Sequence, residues 1–265
     1  MLRRARSGIA AWWYRRDLAR LARLFKTDKG DQHGYLRHYT KYFASLRHRR
    51  LNILEIGIGG YSAPTYGGAS LRMWKAYFPK SRIYGIDVYD KRALEEPRLR
   101  TFQGGQDDPQ FLRRVAAQIG RLDIIIDDGS HVNAHVITAF ETLFPFLSVG
   151  GLYVIEDTQT SYWPGFGGSS EELMSPTTTM GYLKRVMDGV NYEERIQPGY
   201  APTVFDRSIV GMHVYHNIVF IEKGGNTEGS NYIRGNATSE PWILTDYRRS
   251  GVYQPDWTPW GPRTT

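Results

Sequence analysis

Acidic residues follow two apolar stretches that have the composition of buried strands, and a histidine lies close behind one of them. The segment IIIDDGSH ends in Asp127 and Asp128, with His131 three residues further on, and the segment LYVIEDT ends in Glu156 and Asp157. If both stretches are parallel strands of one sheet, their carboxyl ends meet at the same edge. The carboxylates of Asp128, Glu156 and Asp157 then converge in one cleft beside an imidazole.

Three carboxylates in one cleft repel each other unless some are protonated or a cation lies among them. Oxygen ligands of this kind favour Mg²⁺, Mn²⁺ or Ca²⁺ over Zn²⁺. His131 is then a candidate general base, since an imidazole titrates near neutral pH. The alternative is that the acids cap helices or pair with arginines, and for Asp127 it stays open. His135 lacks the H-E-x-x-H context of a zinc site, and we expect it to pack or to support the site from behind.

A glycine-rich turn follows the first predicted strand, in EIGIGGYSA. Gly57 and Gly59 allow a ligand to approach the backbone closely. Ser62 stands where the dinucleotide fingerprint G-x-G-x-x-G needs its last glycine. The carboxylate of Glu55 would repel a pyrophosphate, whereas it suits the amino group of S-adenosylmethionine. A tight turn without a ligand is the alternative.

The next two predicted strand ends extend this pattern. Asp87 ends the second strand, where an acceptor for a ribose diol is expected. The segment GGQDD, with Gln106 and Asp107, ends the third, where an adenine amino group can be held. In this order the strand ends favour an adenosyl cofactor, and we add Tyr61 and Asp127 to its candidate contacts.

Strands and helices alternate from about residue 50, which predicts a parallel α/β sheet with helices on both faces. The segment SIVGMHVYHNIVFIEKG then predicts an antiparallel hairpin with Tyr215, His216 and Asn217 near its turn. A closing hairpin is typical of the methyltransferase version of this architecture.

The composition excludes several kinds of site. The chain has no cysteine, which excludes disulfides, thiolate metal sites and cysteine nucleophiles. The net charge is +7, yet no zinc finger, RNP sequence or helix-turn-helix accompanies it, and we expect no nucleic-acid partner. No apolar run is long enough to span a bilayer, and we expect a cytoplasmic protein.

Two terminal segments flank the central domain of residues 26–223. Residues 1–25 predict a basic amphipathic helix, with leucines at helical spacing between arginines. This helix packs on the protein body or on another subunit, or it makes peripheral contact with an anionic membrane; we expect a homo-oligomer. Residues 224–265 are expected to form either an ordered arm or a partly disordered tail.

Aromatic residues follow the second acidic pair, in SYWPGFGG. Tyr162 and Trp163, with Phe166, are candidates to stack on a sugar or on an apolar part of an acceptor. The alternative is a lid that packs on itself. His33 and Tyr35, which precede the first strand, are candidates to close over the cofactor.

Taken together, several segments resemble the metal-dependent sugar O-methyltransferases of macrolide and other glycosylated natural-product pathways. They are TDKGDQHGY, LEIGIGGYSAPTYGGASLRMW, IYGIDVYDK, DDGSHVNAH and GGLYVIEDTQTSYWPGFGG. The resemblance implies a class I methyltransferase fold with a mostly parallel seven-stranded sheet, S-adenosylmethionine, and Mg²⁺ or Mn²⁺. On the matching positions it places Asp128, Glu156 and Asp157 on the metal and makes His131 the general base.

The resemblance also assigns cofactor contacts to Glu55, Gly57, Asp87, Gln106 and Asp107. The implied activity is methylation of a sugar hydroxyl of a glycosylated natural product, macrolide-like or other. The alternatives are a glycolipid sugar at a membrane, a catechol-like diol, and a binding protein without catalysis. Catechol methyltransferases usually carry a lysine near the position of the base, where this chain has histidine.

Overall fold

The computed structural model describes residues 9–195, 197 and 199–230, together with the backbone of residues 233–234 and 237–238. Its centre is a seven-stranded sheet with the order β3-β2-β1-β4-β5-β7-β6. The strands are β1 Asn52–Ile56, β2 Arg82–Asp87, β3 Leu99–Gln103, β4 Leu122–Asp127, β5 Leu147–Glu156, β6 Ile209–Tyr215 and β7 Ile218–Lys223. Strands β1 to β5 are parallel, and β7 runs antiparallel to both β5 and β6. The parallel sheet and its closing hairpin are therefore confirmed.

In the part of the chain that the structure describes, six α-helices of eight residues or more cover the two faces of the sheet. They are α1 Leu18–Phe25, α2 Leu36–Phe43, α3 Ala69–Tyr77, α4 Pro109–Ile119, α5 Asn133–Leu143 and α6 Thr179–Asp188. Short 3₁₀ turns lie at Arg92–Leu94, Phe144–Phe146, Thr158–Tyr162, Pro164–Phe166 and Gly189–Glu194. Helices α1 to α3 pack with one face of the sheet, and α4 to α6 pack with the other. Because both faces are covered, the central strands are apolar almost throughout.

The amino-terminal segment is divided. Residues 9–14 are helical, and α1 begins only after Asp17, whose extended backbone and side-chain bond to the amide of Arg20 form its N-cap. The expected single helix over residues 1–25 is thus interrupted in its described part. Leu18 and Leu21 of α1 are buried in the core beside α3, so this helix packs on the body of the protein.

A short pair of strands follows the main sheet in the carboxyl-terminal segment. Backbone pairing of Ile233–Arg234 with Ala237–Thr238 forms the short strands β8 and β9. Most of the predicted arm or tail at residues 224–265 lies outside the described residues. Among the helices that the structure describes, none combines the length and the apolarity needed to cross a bilayer.

Candidate active site

A cleft of about 950 Å³ lies at the carboxyl ends of the parallel strands. This edge is where open α/β sheets bind ligands. Residues that the sequence assigned to a cofactor, a metal or the base line its wall: Gly57, Gly59, Tyr61, Asp87, Gln106, Asp107, Asp128, His131 and Asp157. The fold thus brings residues that are far apart in the chain into one cleft.

The turn after β1 packs directly against the turn after β4. Gly57 has φ of 79°, and a Cβ atom on it would lie 2.0 Å from the carbonyl oxygen of Asp128. A side chain at this position would displace one turn from the other. Gly57 therefore fixes the spacing between the predicted cofactor half of the cleft and the acidic half.

Lys91, which the sequence analysis did not single out, holds the rest of the β1–α3 loop. It is 1% exposed, and its ammonium donates to the carbonyls of Tyr61, Ala63 and Tyr66 at 2.6, 2.9 and 3.0 Å. All three ammonium hydrogens are thereby used on one loop. That loop carries Tyr61, whose φ is 44°, so Lys91 keeps a strained wall of the cleft in place.

Asp127 supports the turn that follows β4 and is not part of the cleft wall. It is buried, and Gln106 Nε2 donates to both of its carboxylate oxygens at 2.6 and 2.8 Å. Gln106 Oε1 in turn accepts from the amide of Ser130 at 2.9 Å. Burial raises the pKa of Asp127 to about 8. Asp127 therefore contacts Gln106 and the turn after β4, and its predicted contact with the cofactor stays a prediction.

Asp128, His131 and Asp157 form one compact polar group. Each offers a ligand atom, and these atoms lie within 4.8 Å of one another. His131 and Asp157 both have left-handed backbones, with φ of 58° and 52°. This conformation is costly for residues with a side chain and persists only where the surroundings impose it, as often occurs at functional sites. The two carboxylates at this spacing fit a hard divalent cation such as Mg²⁺ or Mn²⁺, with the imidazole beside it.

Asp157 is oriented by several neighbours. Tyr35 donates its hydroxyl to Oδ1 at 2.6 Å, His33 Nδ1 lies 3.4 Å from the same oxygen, and His131 Nε2 lies 3.6 Å from Oδ2. Burial would raise the pKa of Asp157, but the Tyr35 hydroxyl and the charge of His131 hold it below its usual range. Asp157 is therefore an ionised carboxylate facing His131. Tyr35 and His33 close over this acid, while their predicted contact with the cofactor stays a prediction.

A buried ammonium lies on the other side of the acids. Lys29 is 0% exposed, and its Nζ is 2.6 Å from Asp128 Oδ2, 2.6 Å from Glu156 Oε1 and 3.1 Å from Glu55 Oε1. Burial alone would lower the pKa of Lys29, but the three carboxylates raise it well above its usual value. The protein thus supplies one of the positive charges that the acidic cluster requires.

Two predicted site residues face Lys29 and are not part of the cleft wall. Glu156 accepts from Lys29 and from the hydroxyl of Tyr39, and burial raises its pKa well above the usual value. Glu55 accepts from Trp74 Nε1 at 3.1 Å, and burial raises its pKa to about 7. Metal ligation by Glu156 and cofactor contact by Glu55 remain predictions.

The aromatic loop after β5 is anchored beside the cleft. The side-chain amide of Asn133 donates to the carbonyls of Thr160 and Phe166 at 3.1 and 2.9 Å. Tyr162 and Trp163 remain partly exposed, and the Trp163 ring lies 6.0 Å from the ring of Phe166. Neither is part of the cleft wall, so their contact with a substrate stays a prediction.

His135 does reach the cleft wall. Its Nδ1 lies 3.0 Å from the hydroxyl of Ser130, in the same turn that carries His131. This is consistent with the expected supporting position. It does not belong to the group that could hold a metal.

Sequence comparison relates the chain to enzymes of antibiotic biosynthesis. Mycinamicin VI 2''-O-methyltransferase from Micromonospora griseorubida is 49% identical over 215 residues, which are 80% of this chain and 54% of the relative. Demethylmacrocin O-methyltransferase from Streptomyces fradiae is also 49% identical, with the same coverage. A tetracenomycin rhamnosyl 3'-O-methyltransferase from Streptomyces olivaceus is 50% identical over 216 residues, or 81% of this chain and 55% of the relative.

Structural comparison also gives an enzyme of the mycinamycin pathway. MycE, the methyltransferase of the mycinamycin pathway solved with Mg and SAH, matches with a TM-score of 0.81 and 46% identity, over 88% of this chain and 60% of that one. Its complex with Mg, SAH and mycinamycin VI matches with a TM-score of 0.79. This chain is a homologue of the sugar O-methyltransferases of antibiotic pathways. No family model matches the sequence.

The homology to sugar O-methyltransferases confirms the class I methyltransferase fold and the resemblance inferred from the motifs. The chain spans about half the length of the curated relatives it matches, 54% of each of the first two. The activity, substrate and partners of the whole protein are therefore stated below as proposals, on the basis of the site.

Proposed function

We propose that this protein is an S-adenosylmethionine-dependent O-methyltransferase that methylates a sugar hydroxyl of a glycosylated natural product. The observation that carries the proposal is the shared cleft: the glycine turn and Asp87 lie in one wall, and Asp128, His131 and Asp157 lie in another. A methyl donor and an acceptor hydroxyl would meet between them. The homology to sugar O-methyltransferases supports a sugar as the acceptor.

The glycine turn and the ends of β2 and β3 form the donor half of this cleft. Gly59 leaves room beside the backbone, Gly57 lets the β1 turn pack against the β4 turn, and Asp87 accepts a hydrogen bond from the amide of Tyr89 at 2.9 Å. We assign the ribose to Asp87 and the adenine to the segment that carries Gln106 and Asp107. These assignments follow from the order of the strand ends.

The acidic group is proposed to hold a divalent ion, Mg²⁺ or Mn²⁺, as MycE is described with Mg. Asp128 and Asp157 are the carboxylates already turned toward the cleft, and Glu156 is the third predicted ligand. Such an ion, when bound, supplies Lewis acidity that lowers the pKa of a contacting hydroxyl. Asp157, whose pKa is held below its usual range, supplies negative charge that would attract such an ion.

His131 is proposed to accept the proton of the sugar hydroxyl. A sugar hydroxyl is a weak nucleophile near pH 7, so it must lose this proton as it attacks the methyl carbon. Asp157 lies 3.6 Å from His131 Nε2, so it stabilises the imidazolium that forms. His131 has a left-handed backbone and lines the cleft.

The proposal is tested with labelled S-adenosylmethionine, a panel of deoxysugar glycosides, and a catechol as a separate acceptor. We expect methyl transfer to at least one glycoside, and a His131→Ala variant with kcat reduced about 10²–10⁴-fold. The same variant should bind S-adenosylhomocysteine with nearly unchanged affinity in calorimetry. His48→Ala, which changes an exposed histidine far from the cleft, is the matched control.

Two results would contradict the proposal. Absence of any heat of binding with S-adenosylhomocysteine in the unaltered protein would remove the donor site. Transfer to the catechol but to no glycoside would keep the donor site and replace the sugar acceptor. Full turnover by His131→Ala would instead remove only the assignment of the base.

A further inference from the structure

Basic side chains gather at the edge of the sheet opposite the cleft. His48 lies in the turn before β1 and Lys80 in the turn before β2, so both lie at amino ends of parallel strands. Arg47 Nε donates to the carbonyl of Arg15 at 2.9 Å, which brings the amino-terminal segment to this edge. Arg16 is exposed beside them.

These charges act on one another. The positive charge of Arg47, together with Lys80, Arg16 and Arg15, lowers the pKa of His48. Burial and the charges of Arg16 and Arg15 also lower the pKa of Arg47. The charges that lower the pKa of both groups are basic, so positive charge is concentrated at this edge.

Large apolar side chains are exposed on the same segment. Ile9, Trp12 and Trp13 are 65%, 56% and 71% exposed. The guanidinium of Arg15 lies 4.1 Å from the ring centre of Trp12, so an aromatic ring and a cation are presented together. We call this surface the basic edge, and its exposed members are Ile9, Trp12, Trp13, Arg16, His48, Arg49, Arg50 and Lys80.

We propose that the basic edge binds the anionic surface of a lipid bilayer. Tryptophan rings partition into the interfacial layer of a bilayer, while arginine and lysine bind its anionic headgroups. A polyanion in water, such as a nucleic acid, would use the charges but would leave Ile9 and Trp13 exposed. Three further arginines occur in the sequence at positions 3, 4 and 6.

The position of the basic edge has a consequence for the substrate. Strand β1 has five residues, and at about 3.3 Å per residue it separates the two edges by roughly 16 Å. The cleft would therefore open away from the bilayer. A lipid-linked acceptor in the same bilayer would reach the cleft only if its sugar stood at least about that far from the headgroups, whereas a dissolved glycoside would reach it freely.

The experiment is flotation of the full chain with vesicles of phosphatidylcholine alone or with 30% phosphatidylglycerol. We expect flotation with the anionic vesicles only, and its loss at high salt. Arg16→Glu/Lys80→Glu and Trp12→Ala/Trp13→Ala should each weaken binding at least about tenfold. Arg113→Glu/Arg114→Glu, an equal reversal of charge on exposed residues of α4, should leave it unchanged.

Lipid quenchers in the interfacial layer provide a second measurement. They should quench the fluorescence of the unaltered protein and have less effect on Trp12→Phe/Trp13→Phe, which leaves the arginines in place. The proposal is overturned if the protein floats with neither vesicle or with both equally, or if both double variants bind like the control. Preferential binding to a DNA duplex in competition with the anionic vesicles also overturns it.

Discussion

Replacement of Lys29 by methionine should destabilise the folded chain strongly. The change removes an ammonium that lies 2.6 Å from Asp128, 2.6 Å from Glu156 and 3.1 Å from Glu55, in a position with no solvent exposure. Removing one partner of a buried ion pair leaves the other charge uncompensated and costs about 3–5 kcal/mol. Protonation of a carboxylate limits the loss, since burial has already raised the pKa of Glu156 and Glu55.

Urea unfolding, followed by tryptophan fluorescence, measures this loss. For a chain of this size, about 3–5 kcal/mol corresponds to a decrease of about 1 M or more in the midpoint. Lys80→Met, which removes an exposed lysine, should change the unfolding free energy by less than about 0.5 kcal/mol. A midpoint for Lys29→Met equal to that of the unaltered protein would refute the idea that the acids depend on this ammonium.

A double variant separates the charge from the packing. If the cost of Lys29→Met comes from the unpaired carboxylate, Glu156→Gln should reduce that cost when the two changes are combined. Mn²⁺ should also restore more stability to Lys29→Met than it adds to the unaltered protein, because it supplies positive charge to the same acids. Additive losses with no gain from Mn²⁺ would show that the methionine acts through packing alone.

Three further outcomes are expected. Gly57→Ala should displace the turn that carries Asp128, since its Cβ would lie 2.0 Å from that carbonyl, and should lower both the thermal midpoint and the affinity for S-adenosylhomocysteine in calorimetry. Lys91→Met should raise the KM for S-adenosylmethionine about tenfold or more with little change in kcat, because it releases three loop carbonyls. Since the chain has no cysteine, the cysteine of Lys91→Cys can be alkylated selectively to a thialysine in denaturant, and the refolded protein should recover most of the affinity. No recovery would count against the hydrogen bonds of Lys91 to this loop. EDTA should abolish methyl transfer and Mg²⁺ should restore it, whereas turnover that persists after dialysis against EDTA would exclude the divalent ion.

The sheet could be predicted because its signals are local and strong. Apolar runs such as Ile124–Ile126 end in turn residues, and helical segments of ordinary length separate them. The helix at Leu36–Phe43 was not predicted, although Leu36, Tyr39 and Phe43 recur at helical spacing and are all buried. Polar residues between them, and the short length, concealed the pattern. The break before Leu18 depends on a side-chain cap by Asp17, which is a weaker signal in a run of arginines.

The cleft was predictable in outline, whereas the charge balance beneath it was not. The sequence placed Asp128 and Asp157 at neighbouring strand ends, and the structure brings them together. It gave no sign that Lys29 would be buried, because a lysine in the polar stretch TDKGDQHGY has the composition of an exposed loop. Lys91 was hidden for the same reason. Its partners are backbone carbonyls, which have no signature in the sequence.

Alternation of side chains along a strand explains how the acids divide between the ammonium and the cleft. Glu55 is paired with Ile126, and Ile126 with Val154, so Glu55, Asp128 and Glu156 project to the sheet face that α1 to α3 cover. Lys29 meets all three there. Asp157 would follow on the opposite face, but its left-handed backbone, with φ of 52°, turns the carboxylate back toward His131. The conformation of this one residue therefore decides whether the second acidic pair contributes to the cleft. Asp157→Gly would relieve the strain of the left-handed backbone but would also remove the carboxylate. Asp157→Asn keeps a side chain of the same shape in this conformation and tests the charge alone.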